Sequence, residues 1–348
     1  MFLVENYTLA VIFCFITMLC WGSWANTQKL AGKTWRYELF YWDYVFGVVI
    51  TALIFAVTLG STGGAGRGFI ADLNQAEFSP LMSAFIGGVI FNIANILLVA
   101  AIAIAGMSVA FPVGIGLALV LGVLINFFGN PAGGNAALLF SGVGLVAAAI
   151  ILNAVAYKKL PGQQAGVSAK GLILSVLCGI LMSLFYFFVA KSLAQVDLFG
   201  LLVPVTTENL SKGTLETGKL TPYSAIFVFT LGILLSNFVF NTAVMLKPFV
   251  GTPVPLLDYF KGRFKDHLWG LIGGAIWSVG MTLNILASNV ASPAVAYGLG
   301  QGATLISAIW GVFIWREFRS APQGTSKLLG AMFLCFIAGL GLLILAKL

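Results

Sequence analysis

Among the amides inside long apolar stretches of this sequence, six stand out: Asn92, Asn95, Asn237, Asn241, Asn284 and Gln301. An amide in hydrocarbon without a hydrogen-bond partner is costly, so each must either bond a neighbouring helix or line a polar cavity. Asn92 and Asn95 are three residues apart, and Asn237 and Asn241 four apart, which puts each pair on one face of a helix. Five aromatic residues accompany them: Trp21, Trp24, Tyr186, Trp277 and Tyr297. Flat rings of this kind stack on heterocycles or meet the C–H faces of sugars, while those near the end of an apolar run also suit a lipid-interface belt. Trp277 lies too deep in its run for a belt. Amides and aromatic faces together are chemistry for holding a neutral polar solute.

Two acids raise a different possibility. Asp43 falls inside the second apolar run, and an ionisable group within a membrane defaults to a functional role. The expectation is coupling to a proton, with sodium as the alternative ion. Glu38 is the second candidate; it stands about 140° round the helix from Asp43 at 3.6 residues per turn, so the two form no dyad. Its competing partners are Lys33 and Arg36. Glu317, between Arg316 and Arg319, reads as a local ion pair at a membrane exit, and His267, the single histidine, as an interface residue. No His, Cys, Asp or Glu cluster has metal-ligand spacing, and no phosphate loop occurs. No metal, cofactor or enzymatic activity is expected. Cys14, Cys20, Cys178 and Cys335 all lie in apolar runs and read as small buried hydrophobes.

The elements that must position these residues follow from composition. Of 348 residues, 60% are hydrophobic and 8% charged, where a soluble domain carries about 25% charged residues. This is an all-α integral membrane protein. Ten windows approach the roughly 20 apolar residues that cross a bilayer: 7–25, 37–60, 81–104, 107–128, 137–156, 171–191, 222–246, 268–288, 292–315 and 328–347. Such long uniform runs exclude barrel strands. Pro112 and Pro293 are expected to kink the fourth and ninth runs. Of the 18 basic residues, 13 fall in the loops after odd-numbered spans and five on the other side. That asymmetry places both termini outside a cell membrane, plasma or inner. The net charge of +7 is thereby an orientation signal, and no nucleic-acid partner is expected.

Sliding the chain by 186 residues superposes Ile86–Leu119 on Ile272–Leu305, with Gly87, Gly88, Gly114 and Gly116 falling on Gly273, Gly274, Gly300 and Gly302. The third and fourth spans therefore correspond to the eighth and ninth, which divides the chain into residues 1–156, a linker 157–170 and residues 171–348. Five spans per half is an odd number, so the halves are inverted, with a site expected at their interface.

Certain stretches resemble a known family. The opening 25 residues and the run Tyr41-Trp42-Asp43-Tyr44 resemble plant ureide permeases, as does Ile306–Arg319, ISAIWGVFIWREFR. Gly106-Met107-Ser108 and Gly273-Gly274-Ala275-Ile276-Trp277 resemble the rhamnose–proton symporter. Both belong to the drug/metabolite transporter superfamily. The resemblance implies ten spans, an inverted repeat, and proton-driven uptake of a small neutral solute, a ureide or nucleobase on one branch and a monosaccharide on the other. Plant ureide permeases carry a long central hydrophilic loop, whereas Tyr157–Lys170 is short. An exporter of the same superfamily is the rival; its cavity would be wide and poor in amides. A channel is disfavoured by the lack of a charged ring or filter pattern.

Overall fold

The computed structural model describes residues 1–31, 35–105, 107–129, 135–160, 168–249 and 251–347; Lys33, Gly106 and residues 161–167 of the expected linker lie outside the described residues. Apolar composition drives nearly all of it into helix, because only a helix satisfies its own backbone in hydrocarbon. The order is α1 (Tyr7–Ser23), α2 (Asn26–Ala31), α3 (Tyr37–Val57), α4 (Phe69–Gln75), α5 (Phe78–Ala105), α6 (Met107–Gly129), α7 (Ala136–Lys158) and α8 (Ala169–Ser192). After a small cap come α10 (Pro222–Leu246), α11 (Phe264–Ala291), α12 (Pro293–Gly300), α13 (Ala303–Ile309) and α14 (Thr325–Leu345). Nine helical segments among the described residues are long and apolar enough to span a membrane, and the described apolar run Val113–Gly129 is shorter. The chain is a multi-pass membrane protein.

The cap consists of β1 (Val196–Leu198), β2 (Leu201–Val203), α9 (Thr207–Lys212) and β3 (Thr214–Leu215), with the antiparallel order β2-β1-β3. Arg67 fastens it. Its guanidinium pairs with Asp72 at 2.9 Å and donates to the carbonyls of Glu216 and Lys219 at 2.7 and 2.9 Å. Asp72, fully buried, also accepts from the Thr221 amide and hydroxyl at 2.7 and 2.9 Å. The cap marks one end of the bundle. The far end carries the start of α3, the end of α7 and a 3₁₀ turn at Leu256–Lys261.

Glycines let the central helices touch backbone to backbone. A Cβ on Gly88 of α5 would strike the Phe229 carbonyl of α10, and one on Gly274 of α11 would strike the Tyr44 carbonyl of α3. Gly87 abuts the Phe185 carbonyl on α8, and Gly273 abuts the Thr27 hydroxyl on α2. Small residues at such crossings supply the close packing that drives association in lipid. The outward faces are apolar: Ile50, Leu53, Ile54 and Val57 on α3, and Leu334 and Ile337 on α14, are all exposed.

Two helical runs are interrupted inside the bundle. The first breaks at Trp24–Ala25 between α1 and α2, and the ninth at Gln301–Gly302 between α12 and α13. A π-helical turn follows at Trp310–Ile314. Pro293 begins α12 directly after Ser292, whose φ of 78° turns the chain out of α11. It initiates the ninth run rather than kinking it, since proline at a first helical position has no donor to lose. Pro112, expected to kink the fourth run, lies outside the residues whose side-chain placement is described.

Candidate functional site

Both breaks open onto one cavity of about 130 Å³, walled by Trp21, Trp24 and Ala25, by Phe91 and Asn95 of α5, by Met182 and Phe185 of α8, by Trp277, and by Gln301, Ala303, Thr304 and Ser307. Leu98 and Ile115 complete it. Interrupted helices place backbone carbonyls and amides within reach of a solute without exposing them to lipid.

The floor is aromatic. Trp21 and Trp277 stack with centroids 6.0 Å apart and planes 11° from parallel, and Phe91 lies 4.5 Å from Trp277. Trp21 Nε1 donates to the Trp277 carbonyl at 3.3 Å, which fixes the indole. It fits because Gly280 and Gly300 leave its place empty; a Cβ on either would meet the ring at under 3 Å. Trp24 packs on Tyr44 at 4.7 Å. The polar wall is neutral. Asn95 Nδ2 donates to the Tyr41 hydroxyl at 3.1 Å, and among the described hydrogen bonds none uses its Oδ1. Thr304 donates to the Gln301 carbonyl at 2.9 Å, and Ser307 to the Gly22 carbonyl at 3.2 Å. Among the described residues no charged side chain lines this cavity.

Five of the residues singled out from sequence therefore meet here: Trp21, Trp24, Asn95, Trp277 and Gln301. The other six lie outside it. Asn92 is fully buried, accepting from Tyr41 at 2.9 Å and donating to Ser236 at 3.0 Å. Asn241 Nδ2 donates to the Glu38 carbonyl at 2.9 Å, joining α10 to α3. Asn237 is buried with neither amide atom bonded. Tyr186, Asn284 and Tyr297 form one layer on the cap side. Tyr186 donates to Asn284 Oδ1 at 2.7 Å, Asn284 Nδ2 to the Ala296 carbonyl at 2.9 Å, and Tyr297 to the Ala118 and Met182 carbonyls at 3.2 Å each. Beyond that layer lies a larger vestibule of about 600 Å³ bordered by Ser288, Asn289 and Pro293. Sequence reasoning passed over Thr304, Ser307, Met182 and Phe185. Thr304 sits three residues after Gln301, a spacing that was available as a signal.

The far end of the bundle holds the acids. Asp43 is 1% exposed, and its carboxylate accepts from the Tyr259 hydroxyl and faces His267 Nδ1 at 3.0 and 3.1 Å from its two oxygens. The lone histidine is thus packed on the acid rather than left at the lipid interface. Glu38 pairs with Arg36 at 2.7 Å and stays apart from Asp43. Glu317 joins neither neighbouring arginine: Oε1 meets Lys29 Nζ at 3.0 Å and Oε2 accepts from Tyr157 at 2.7 Å. Arg316 (φ 53°) turns the chain just before Glu317, whose carboxylate reaches Lys29 of α2 and Tyr157 of α7. A second cavity of about 90 Å³ lies between this clasp and the first, sharing Ala25, Thr304 and Ser307 with it.

A multi-pass bundle whose broken helices enclose a small neutral cavity of amides and aromatic rings is built as a membrane carrier. The ureide permease family model matches residues 40–165 and 165–346, and the chain belongs to that family. Among its relatives, ureide permease 1 of Arabidopsis thaliana is 24% identical over 99% of this chain and 98% of its own. Ureide permease 4 of the same plant is 23% identical over the same shares, and the probable ureide permease A3 of Vigna unguiculata 22% over 93% and 99%. A chain of known crystal structure superposes with a TM-score of 0.64 over 98% of this chain and 99% of its own, at 14% identity, a likeness of fold alone. Family membership makes the protein a transporter of a small molecule, not an enzyme.

Proposed function

We propose that this chain takes up a small, neutral, planar solute of the ureide or nucleobase kind across a cell membrane, coupled to a proton, by alternating access. The observation that carries the substrate class is the cavity: a stacked Trp21/Trp277 floor opposite Asn95 and Gln301, with no charge. Flat rings capture a flat face through dispersion and quadrupole contacts, and amides match the alternating N–H and C=O groups of a ureide. The relatives' names point the same way. A monosaccharide rests on the resemblance to the rhamnose symporter alone. An exporter of bulky drugs fits poorly, because drug-sized sites run to about 300 Å³ and more.

The reading includes ten spans in two inverted repeats, residues 1–156 and 171–348, with both termini outside. Its support is the paired packing of Gly87–Gly88 on α8 and α10 and of Gly273–Gly274 on α2 and α3, as exchange of the halves requires. Asp43, buried at the far end, is the proton-coupling candidate, with sodium the alternative ion. The test is reconstitution in vesicles with an imposed gradient, acid outside. Labelled allantoin, uracil, rhamnose and glucose are compared for uptake. Saturable, gradient-driven accumulation of allantoin or uracil is expected; accumulation of rhamnose or glucose in their place overturns the substrate class.

A further inference from the structure

Asp43 does not touch the cavity. Its helix neighbour Tyr44 does the connecting, packing 4.7 Å from Trp24 and 6.5 Å from Trp277. On the opposing helix, His267 and Trp277 are ten residues apart, about 15 Å along the axis at 1.5 Å per residue. Between them the two helices are in direct contact, since a Cβ on Gly270 would fall on the Asp43 side chain and one on Gly274 on the Tyr44 carbonyl. A change at the Asp43–His267 contact therefore bears on how α3 sits against α11, helices that carry Trp277 at the cavity wall and Tyr44 packed behind it against Trp24 and Trp277.

From this geometry we infer that Asp43 and His267 together form one proton-binding pair, capped by Tyr259 and separate from the solute. The inference deepens the proton-coupled reading above and rests on it. With Nδ1–H donating to the carboxylate, the pair carries one negative charge. One added proton makes it neutral, either as an imidazolium–carboxylate pair or as a neutral acid beside a neutral ring. Tyr259 stays a donor through both states. Burial, with the Asp43 carboxylate next to it, holds that phenol above the ordinary tyrosine range.

The surroundings leave the pair chemically isolated. On the Asp43 helix, Glu38 is bound to Arg36. On the 3₁₀ turn, Asp258 is bound to Lys261 at 2.6 Å, and on α11 Asp266 is bound to Arg263 at 3.1 Å. Lys265 is exposed. From α10, Asn241 is bound to the Glu38 carbonyl. Trp35 closes the last side with its ring 5.0 Å from His267, edge-on. His267 is thus the base that faces the carboxylate, on a helix long enough to report the change.

Because the chain has a single histidine, ring-¹⁵N histidine labelling in lipid nanodiscs reads His267 alone. Its signals should change with pH in a transition that Asp43→Asn alters, because the carboxylate no longer faces the ring. A transition unmoved by Asp43→Asn overturns the pair, whatever the substrate proves to be. In vesicles, His267→Gln should cut gradient-driven allantoin accumulation at least about tenfold, which corresponds to about 1.4 kcal/mol. Allantoin counterflow without a gradient should stay near the wild-type rate. Equal loss of accumulation and counterflow would mean a structural role and overturn the inference. Wild-type vesicles that ignore allantoin and uracil would instead refute the substrate reading, leaving the labelled histidine to decide the pair.

Discussion

Asn92 and Asn95 are one helical turn apart on α5, share Tyr41 as a partner, and should behave oppositely on substitution. Asn95 borders the cavity and gives Tyr41 only a donor. In Asn95→Leu the Tyr41 hydroxyl still donates to Asn92 at 2.9 Å, so the packing lattice keeps its donors satisfied. What disappears is an amide on the wall of the cavity proposed to hold the solute. Leaving one solute N–H or C=O unpaired costs about 1–3 kcal/mol, which raises KM by a factor of about 5 to 150. Asn92→Leu removes the acceptor of a fully buried Tyr41 hydroxyl, while Ser236 keeps its bond to the Ile233 carbonyl at 3.1 Å. One stranded donor costs about 1–3 kcal/mol of stability. The assay is KM for allantoin or uracil, whichever wild-type vesicles accumulate, set beside the melting temperature in detergent. Asn95→Leu should raise KM with little change in melting, and Asn92→Leu should lower melting with KM near wild type. If both variants raise KM alike at unchanged melting, the division into cavity and lattice amides is wrong.

Gly274→Val and Gly88→Val should each abolish most folded protein in a detergent size-exclusion assay, since a side chain there strikes an opposing carbonyl and overpacking costs about 1–3 kcal/mol or more. Gly144→Ala, where a Cβ meets nothing within 4 Å, should be tolerated. Arg67→Met strands the buried Asp72 carboxylate and should cost about 3–5 kcal/mol in unfolding measurements; adding Asp72→Asn should recover part of the loss. Glu317→Gln loses the Lys29 ion pair and weakens the Tyr157 bond, so a cysteine placed at Ser307 should label faster from the far end than in the parent.

The helices were legible because hydrocarbon imposes one rule on every residue in a run. The expected window 222–246 coincides with α10, and the other windows fall within a few residues of observed helices. Rotation about the helix axis was not legible. Asn92 and Asn95 carried the same two readings, helix partner or cavity lining, and only the placement of α3 and α10 decides that Asn92 is held by Tyr41 and Ser236 while Asn95 borders the cavity. The interruption at Gln301–Gly302 carried no proline to announce it. The contact of Asp43 with His267 joins residues 224 apart in sequence, and no local spacing encodes such a pair. The cap was not legible either, because its strands of two or three residues are too short for alternation to register.

The cavity is closed unequally at its two ends, and the inequality bears on which side yields first under the proposed alternating access. Toward the cap, Tyr186, Asn284 and Tyr297 are each fully buried and hydrogen-bonded to backbone or to one another. Opening that layer would expose several donors and acceptors at once, each worth about 1–3 kcal/mol if left unpaired. Toward the far end, the closure is the Lys29–Glu317 pair with Tyr157, whose charged side chains are 47% and 30% exposed. Water can replace each of those bonds as they part, and an exposed ion pair contributes about 0–1 kcal/mol. The π-helical turn at Trp310–Ile314 lies directly before Glu317 and provides a segment whose hydrogen bonds can reset. The far end is therefore the cheaper one to open from this conformation, and the cap-side layer is the closure that the proposed binding of solute and proton must work against.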